Sequence, residues 1–383
     1  MKNQPHSSEI DLWLKLSRAD GIGPITFAKL MAQFDSPQAA LGASVSQLMK
    51  IDGISTKKAE SIARTRDSFD TEAELELAEK LGVWIINLRD SRYPTALKRI
   101  YDPPPVLYIK GTLEKADNLS IAIVGSRRCS IYGSEQASRF AHLLASSGVT
   151  IVSGMARGID TAAHTGALTA NARTIAVQGC GLANIFPPEN KKLFARIAES
   201  GACVSELPLT YEPLSENFPP RNRIIAGFSL CTIVIEATYR SGALHTATAA
   251  MENGREVMAV PGKIDSPLSK GAHRLIKDGA KLVDSIEDIT EALGEIGRSL
   301  KDHLSSSSQT AEEEMEMPLF APEQLNLSEN ERAVFDCLSK EAIHIEDIIT
   351  QTELPPGAIN ASLIALRLKG LIKQLPGNSF LKN

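Results

Sequence analysis

Cysteine is scarce and scattered in this chain of 383 residues: there are five, Cys129, Cys180, Cys203, Cys231 and Cys337, and no C-x-x-C pair. An odd, dispersed set excludes a disulfide framework and a zinc knuckle, and fits the reduced thiols of an intracellular protein. Cys180 follows a glycine, as a nucleophile can, but an unpaired cysteine is more often a small buried hydrophobe. Positive charge has no surplus either: 41 Lys and Arg face 46 Asp and Glu, for a net charge of -5. General attraction to nucleic acid is thereby excluded, and any such binding has to come from a local basic patch. No apolar run is long enough to span a bilayer, and the opening MKNQPHSSEIDLW has no signal core. The expected location is the cytoplasm, with no membrane contact. The seven histidines show no metal-ligand spacing, and no strand is followed by G-x-G-x-x-G. No metal and no cofactor is therefore expected.

What is present is a globular balance: 43% hydrophobic and 23% charged residues, with length for more than one domain. Residues 1–75 read as a helical module. Ser8 caps a helix carrying Leu12, Trp13 and Leu16. DGIGPITFAKLMAQF and IDGISTKKAESIAR are two similar glycine turns, each leading into an amphipathic helix, as in helix-hairpin-helix repeats. Such turns either offer backbone N–H groups to a DNA phosphate or serve only to pack helices and bind protein. With Lys29 as the nearby cation of the first hairpin, both readings stay open.

Residues 76–298 alternate apolar runs with helical stretches. VWIINL, VLYIKG, LSIAIVG, VTIVSG, RTIAVQG, CVSEL, CTIVIEA and EVMAVPG are candidate strands. Several are continuous and β-branched, as parallel strands covered on both faces require. Between them lie GSEQASRFAHLLASSG, GIDTAAHTGALTAN, NKKLFARIAESG and GALHTATAAMENG, which read as helices. The alternation predicts an α/β fold with a Rossmann-like, doubly wound and mainly parallel sheet. Residues 299–325, rich in serine and glutamate and without periodicity, read as a flexible linker. Residues 326–383 open with the capping-box pair Ser328 and Glu331. Two more helices and a strand-turn-strand through Pro376-Gly377-Asn378 complete the plan of a winged helix.

In doubly wound sheets, ligands sit beyond the carboxyl ends of the strands. Those ends carry Gly125-Ser126-Arg127-Arg128, then Ser153-Gly154, Gly179-Cys180-Gly181, Ser205-Glu206, Glu236 followed by Ser241-Gly242, and Pro261-Gly262. Glycines let backbone N–H groups approach an anion, serines add hydroxyl donors, and the guanidinium fork suits phosphate. NFPPRNRIIAGFS adds Arg221, Asn222 and Arg223 at a helix start, where cations oppose the macrodipole unless an anion lies there. Phe218 beside them suits base stacking. The competing reading places Phe218 in the core and pairs the arginines with Glu206 or Glu236. Asp160, at the start of its helix, can cap it or bind a sugar hydroxyl, and capping is the favoured reading. No serine has an evident histidine and acid partner, so no catalytic residue is assigned.

Taken together, YPTALKRIYDPPPVLYIKG, IAIVGSRRCSIYG, SGMARGIDTAAH, FPPRNRIIAG, SGALHTA and VMAVPG resemble the DNA-processing protein A (DprA/Smf) family, from about residue 10 onward. The resemblance implies a single-stranded DNA-binding protein of natural transformation. Such a protein protects incoming strands and helps load the RecA recombinase onto them, works as a homodimer and has no enzymatic activity. On the matching motifs, the DNA contacts fall to Gly125, Ser126, Arg127, Gly154, Arg221, Asn222 and Arg223, with Ser241 and Gly242. The reading of strand ends and of the helix start adds Arg128, Ser153 and Phe218. The chain departs from the family at His273, where asparagine is common. It departs again in GAINASLIALRLKG, whose cations are Arg367 and Lys369, so a protein contact fits that segment as well as a duplex does. A rival class, the nucleotide phosphoribohydrolases, uses a related core with a P-G-G-x-G-T-x-x-E turn. IEATYRSGALHTA lacks its paired glycines and leaves Glu236 as the candidate acid.

Overall fold

The computed structural model describes residues 7–68, 70–294 and, with breaks, 328–382. The linker expected at 299–325, the turn at Pro376-Gly377-Asn378, and Arg367 and Lys369 fall outside the described residues. The chain divides into two compact units, Met1–Ser307 and Ser308–Asn383.

The first unit begins with α1 (Ser7–Ser17), α2 (Pro24–Phe34), α3 (Pro37–Gly42), α4 (Val45–Leu48), α5 (Thr56–Ser68) and α6 (Thr71–Leu81). Pro24 starts α2 without losing a hydrogen bond, because the first helical N–H has no partner within its helix. Trp13 stacks on Phe27 with ring centroids 5.0 Å apart. The two glycine turns brace each other. Lys29 Nζ donates to the Asp52 carbonyl (3.0 Å) and carboxylate (2.8 Å), and Lys58 Nζ donates to the Gly53 carbonyl (3.1 Å). Lys29 and Lys58 are thus engaged by the hairpins themselves.

Strands and helices then alternate: β1 (Val83–Asn87), α7 (Thr95–Lys98), β2 (Val106–Gly111), β3 (Ser120–Val124), α8 (Ile131–Ser146), β4 (Thr150–Ser153) and α9 (Ile159–Thr169). Next come β5 (Thr174–Val177), α10 (Lys191–Ser200), β6 (Ala202–Ser205), α11 (Phe218–Phe228) and β7 (Cys231–Val234). The unit ends with α12 (Ala243–Glu252), β8 (Glu256–Ala259), α13 (Lys270–Lys277), β9 (Lys281–Leu282) and α14 (Ile286–Ala292). Each of the eight expected apolar runs contains a strand, and β3 to β7 are buried along their whole length. The short β9 carries no run that sequence patterning would detect.

The sheet order is β1-β2-β6-β5-β4-β3-β7-β8-β9, antiparallel at β1–β2 and β2–β6 and parallel elsewhere. From β3 the chain winds outward through β4, β5 and β6, then returns to the other side of β3 for β7 and β8. This reversal is the switch point, and it opens a crevice at the carboxyl end of β3. One face of the sheet packs Ile123, Ile151 and Ile233 against Phe140, Leu144 and Ile159 of α8 and α9. The other packs Val124, Val152 and Val234 against Ile224, Ile225 and Phe228 of α11 and Ala247 of α12. The N-terminal helices share a third core with the sheet: Ile10, Trp13, Leu30 and Ile62 continue into Ile85, Tyr108 and Cys203.

His164 on α9 is wholly buried. Thr174 Oγ1 gives its proton to the Ile151 carbonyl (2.7 Å), so it accepts from His164 Nδ1 (2.7 Å), and the ring proton sits on Nδ1. Nε2 has no partner among the described residues, and burial, with the nearby Arg221 charge, depresses the imidazole from 6.5 to about 3. The folded ring stays neutral where the unfolded one takes up a proton. Stability is therefore intact above pH 6.5 and is lost as pH falls towards 3. At pH 5 the expected loss is about 2 kcal/mol. His164→Asn should flatten this part of the stability–pH curve, as measured by urea unfolding at a series of pH values. An unchanged slope would count against a neutral buried ring.

The second unit contains α15 (Glu329–Cys337), β10 (Ile343–His344), α16 (Ile345–Thr352), β11 (Ile372–Leu375) and β12 (Ser379–Lys382). The expected capping box is formed: Ser328 Oγ accepts from the Glu331 N–H while the Glu331 carboxylate accepts from the Ser328 N–H. Val334, Ile348, Ile359, Leu363 and Phe380 make its core, and the strands pair antiparallel in the order β10-β12-β11. No helix among the described residues is long and apolar enough to cross a membrane.

Candidate nucleic-acid interface

The turn after β3 is held by its surroundings before any ligand arrives. A Cβ on Gly125 would lie 2.6 Å from Ile159 Cγ1 and 2.9 Å from the Glu236 carbonyl oxygen, so only glycine lets the turn pass between them. The Ser126 N–H donates to that carbonyl (2.7 Å), and Ser126 Oγ accepts from the Arg128 N–H (3.2 Å). The Glu236 carboxylate accepts from the Ser130 N–H (2.9 Å) and hydroxyl (2.6 Å), and Ser130 Oγ in turn caps α8 by accepting from the Gly133 N–H (3.0 Å). Glu236 thus fastens the end of β7 to both sides of the turn. Arg127 and Arg128, between these anchors, are exposed.

A cavity of about 550 Å³ opens there, at the switch point. It brings together Gly125, Ser126, Arg127, Arg128, Phe218, Arg221, Asn222, Ser241 and Gly242. The Arg127 guanidinium lies 5.4 Å from the Phe218 ring centroid and that of Arg221 5.9 Å from it, within cation–π range. Asn222 Nδ2 donates to the Gly242 carbonyl (3.2 Å) and ties α11 to the start of α12. Gly242 differs from Gly125: a Cβ there would meet nothing within 4 Å, so its lack of a side chain keeps space open at the cavity wall. Among the lining residues that sequence reasoning left unassigned are Ser215, Thr238, Arg240 and Thr246. Arg240 stood beside Ser241 in the quoted motif, and its charge next to two small residues was the available signal. Arg127, Arg128 and Arg240 make no ion pair among the described residues.

Three expected residues do not line this cavity. Ser153 is buried and donates from Oγ to the Ile123 carbonyl (2.6 Å), joining β4 to β3. Gly154 makes room within the protein, since a Cβ would lie 2.7 Å from Arg221 Nη2 and 2.8 Å from Asp160 Oδ2. Arg223 binds Asp102 (3.1 Å) and Glu206, so the pairing with Glu206 holds for it and no anion is needed to explain its place on α11. Burial raises the Glu206 carboxyl, against the pull of Arg223.

Arg221 is 5% exposed, and its Nη1 donates to the Gly154 carbonyl (2.7 Å) and the Val177 carbonyl at the ends of β4 and β5. Burial lowers its guanidinium to about 10. Asp160 accepts from the Gly154 N–H (3.1 Å) and the Ala156 N–H (3.3 Å), so it organises the loop before α9 instead of capping the helix as expected, the cap position being Gly158. Its carboxyl is raised by burial and pulled back down by Arg221. Cys180 is fully buried with its thiol pushed up to about 11 by that burial, which suits a packing residue and not a nucleophile. His273 Nε2 lies 3.0 Å from the Gly262 carbonyl, outside the arginine cavity.

A doubly wound sheet with exposed guanidiniums and an aromatic ring at its switch point defines a Rossmann-like protein with a site suited to anions. The family model of DNA recombination-mediator protein A matches residues 84–294, a DprA winged helix domain matches 318–378, and a DprA-like N-terminal HHH domain matches 8–60. The chain belongs to this family of recombination mediators. Protein Smf of Synechocystis is 34% identical over 97% of this chain and 98% of its own. The structure of DNA processing protein A (DprA) from Streptococcus pneumoniae superposes with a TM-score of 0.65 at 34% identity, covering 76% of this chain and 98% of that one. DNA processing protein A from Helicobacter pylori, whose structure addresses its single-stranded DNA binding mode, gives 0.50 at 30% identity over 55% and 95%.

Proposed function

We propose that this protein binds single-stranded DNA through the arginine cavity, holding phosphates with little sequence preference and carrying out no catalytic step. The observation that carries the reading is the grouping of exposed Arg127, Arg128 and Arg240 around Phe218 at the switch point. Cations that track a backbone beside a ring that stacks bases are what sequence-tolerant binding requires. The Helicobacter pylori relative, described by its single-stranded DNA binding mode, supports the same ligand class. Glu236, the candidate acid of the enzymatic alternative, is engaged at the α8 cap and does not line the arginine cavity. Within this reading the chain acts in natural transformation in the cytoplasm, as a homodimer that protects incoming strands and helps load the RecA recombinase, as the family resemblance implies.

A gel shift of full-length protein with single- and double-stranded oligonucleotides of one sequence, at two salt concentrations, tests the ligand class. Single strands should bind more tightly. Their log affinity should fall with log salt by about 0.7 for each phosphate neutralised. Equal binding of duplex, or affinity indifferent to salt, would sink the reading.

A further inference from the structure

Phe218 connects two cavities. Its ring is part of the arginine cavity, and the Phe186 ring lies 5.5 Å from it, tilted by 42°. Phe186 in turn lines a second cavity of about 650 Å³ with Asn184, Ile185, Pro188, Lys191 and Pro213. A two-ring ridge therefore separates the arginine cavity from one of mixed polar and apolar lining. Lys191, at the start of α10, is exposed and makes no ion pair among the described residues, while exposed Glu212 is the one acid among the lining residues. Asn184 Nδ2 donates to the Thr210 (2.7 Å) and Tyr211 (3.2 Å) carbonyls, which fixes the amide and leaves Oδ1 as an acceptor. An aromatic ring with aliphatic neighbours, one fixed amide acceptor and one cation suit a base with its phosphate nearby.

The opposite flank is chemically different. A cavity of about 600 Å³ there shares Pro219 and His245 with the arginine cavity, but Asp102 and Glu252 line it and its Arg223 is already paired. With Asp102 and Arg223 paired to each other, exposed Glu252 is left to repel a phosphate chain there, and no unpaired Lys or Arg among the lining residues offsets it as Lys191 does beside Glu212. Of these two flanks, the Phe218–Phe186 side is the more favourable to a strand.

We propose that a single strand gripped at Arg127 continues over the Phe218–Phe186 ridge and seats its next base in the cavity between Asn184 and Lys191. This rests on the single-strand reading above and adds the direction of the path and a second nucleotide subsite. Each base stacked on an aromatic side chain contributes appreciably and without regard to sequence.

Fluorescence anisotropy on full-length protein tests it, using labelled oligothymidylate longer than about 16 nucleotides and an abasic strand of the same length. Phe186→Ala should weaken binding of the thymidylate about tenfold with an unchanged salt slope, and should make no difference with the abasic strand. Phe186→Trp should keep the affinity and have its added emission quenched as the strand binds, a response that a packing role would not give. Lys191→Glu, at an exposed position, should weaken binding several-fold and reduce the salt slope, which keeps the test valid if Phe186→Ala does not fold. If Phe186→Trp shows no added quenching and Lys191→Glu binds as wild type while Arg127→Glu is weakened, the second subsite is wrong and the arginine cavity stands. If Arg127→Glu also binds as wild type, the single-strand reading of that cavity fails first.

Discussion

Arg221→Met is expected to lower the free energy of unfolding by about 3–5 kcal/mol, the usual cost of removing one partner from a buried charged arrangement. The guanidinium is the donor to the carbonyls at the ends of β4 and β5, and its charge stabilises the buried Asp160 carboxylate. Methionine fills much of the volume but satisfies neither carbonyl. Combining it with Asp160→Asn should recover part of the loss, about 1–2 kcal/mol, because the stranded negative charge is then gone. Urea unfolding of the two single variants and the double variant measures both quantities. A change below about 1 kcal/mol for Arg221→Met would mean that the arginine is a ligand arm and not a brace. Loss of DNA binding in such a variant is not evidence of contact unless the fold is checked alongside.

Arg127→Glu is expected to do the reverse. The side chain is exposed, rests over Phe218 and has no ion pair among the described residues, so unfolding should shift by no more than about 0.5 kcal/mol. Binding of single strands should fall about ten- to a hundredfold, the worth of one charge-assisted contact to phosphate. The slope of log affinity against log salt should shrink by about 0.7, with all sequences affected alike. Anisotropy titrations at four salt concentrations read both numbers. A variant that loses affinity with no change of slope would point to stacking on Phe218 as the whole of the arginine's role.

The contrast between these arginines marks where sequence stops being informative. Continuous β-branched runs made the strands legible, because burial on both faces leaves no other pattern. The Gly125 turn was legible because a glycine between a strand and a helix start has few uses. FPPRNR gave two cations and an aromatic at a helix start, but not the direction of each side chain. Arg223 turns to Asp102, far away in sequence, and Arg221 turns to carbonyl groups that every residue possesses. No local pattern encodes either choice. The shared core between Trp13 and Tyr108 was hidden for a similar reason: amphipathic helices reveal that one face is covered, not what covers it.

The clamp formed by Glu236 has a kinetic consequence. With its main-chain oxygen on Ser126 and its carboxylate on Ser130, the backbone of the Gly125 turn is already in place before any ligand arrives. Only the long side chains of Arg127 and Arg128 have to settle, which takes nanoseconds or less. For the single-strand binding proposed above, capture should then run at the rate of electrostatically steered collision, with differences in affinity appearing in the lifetime of the complex.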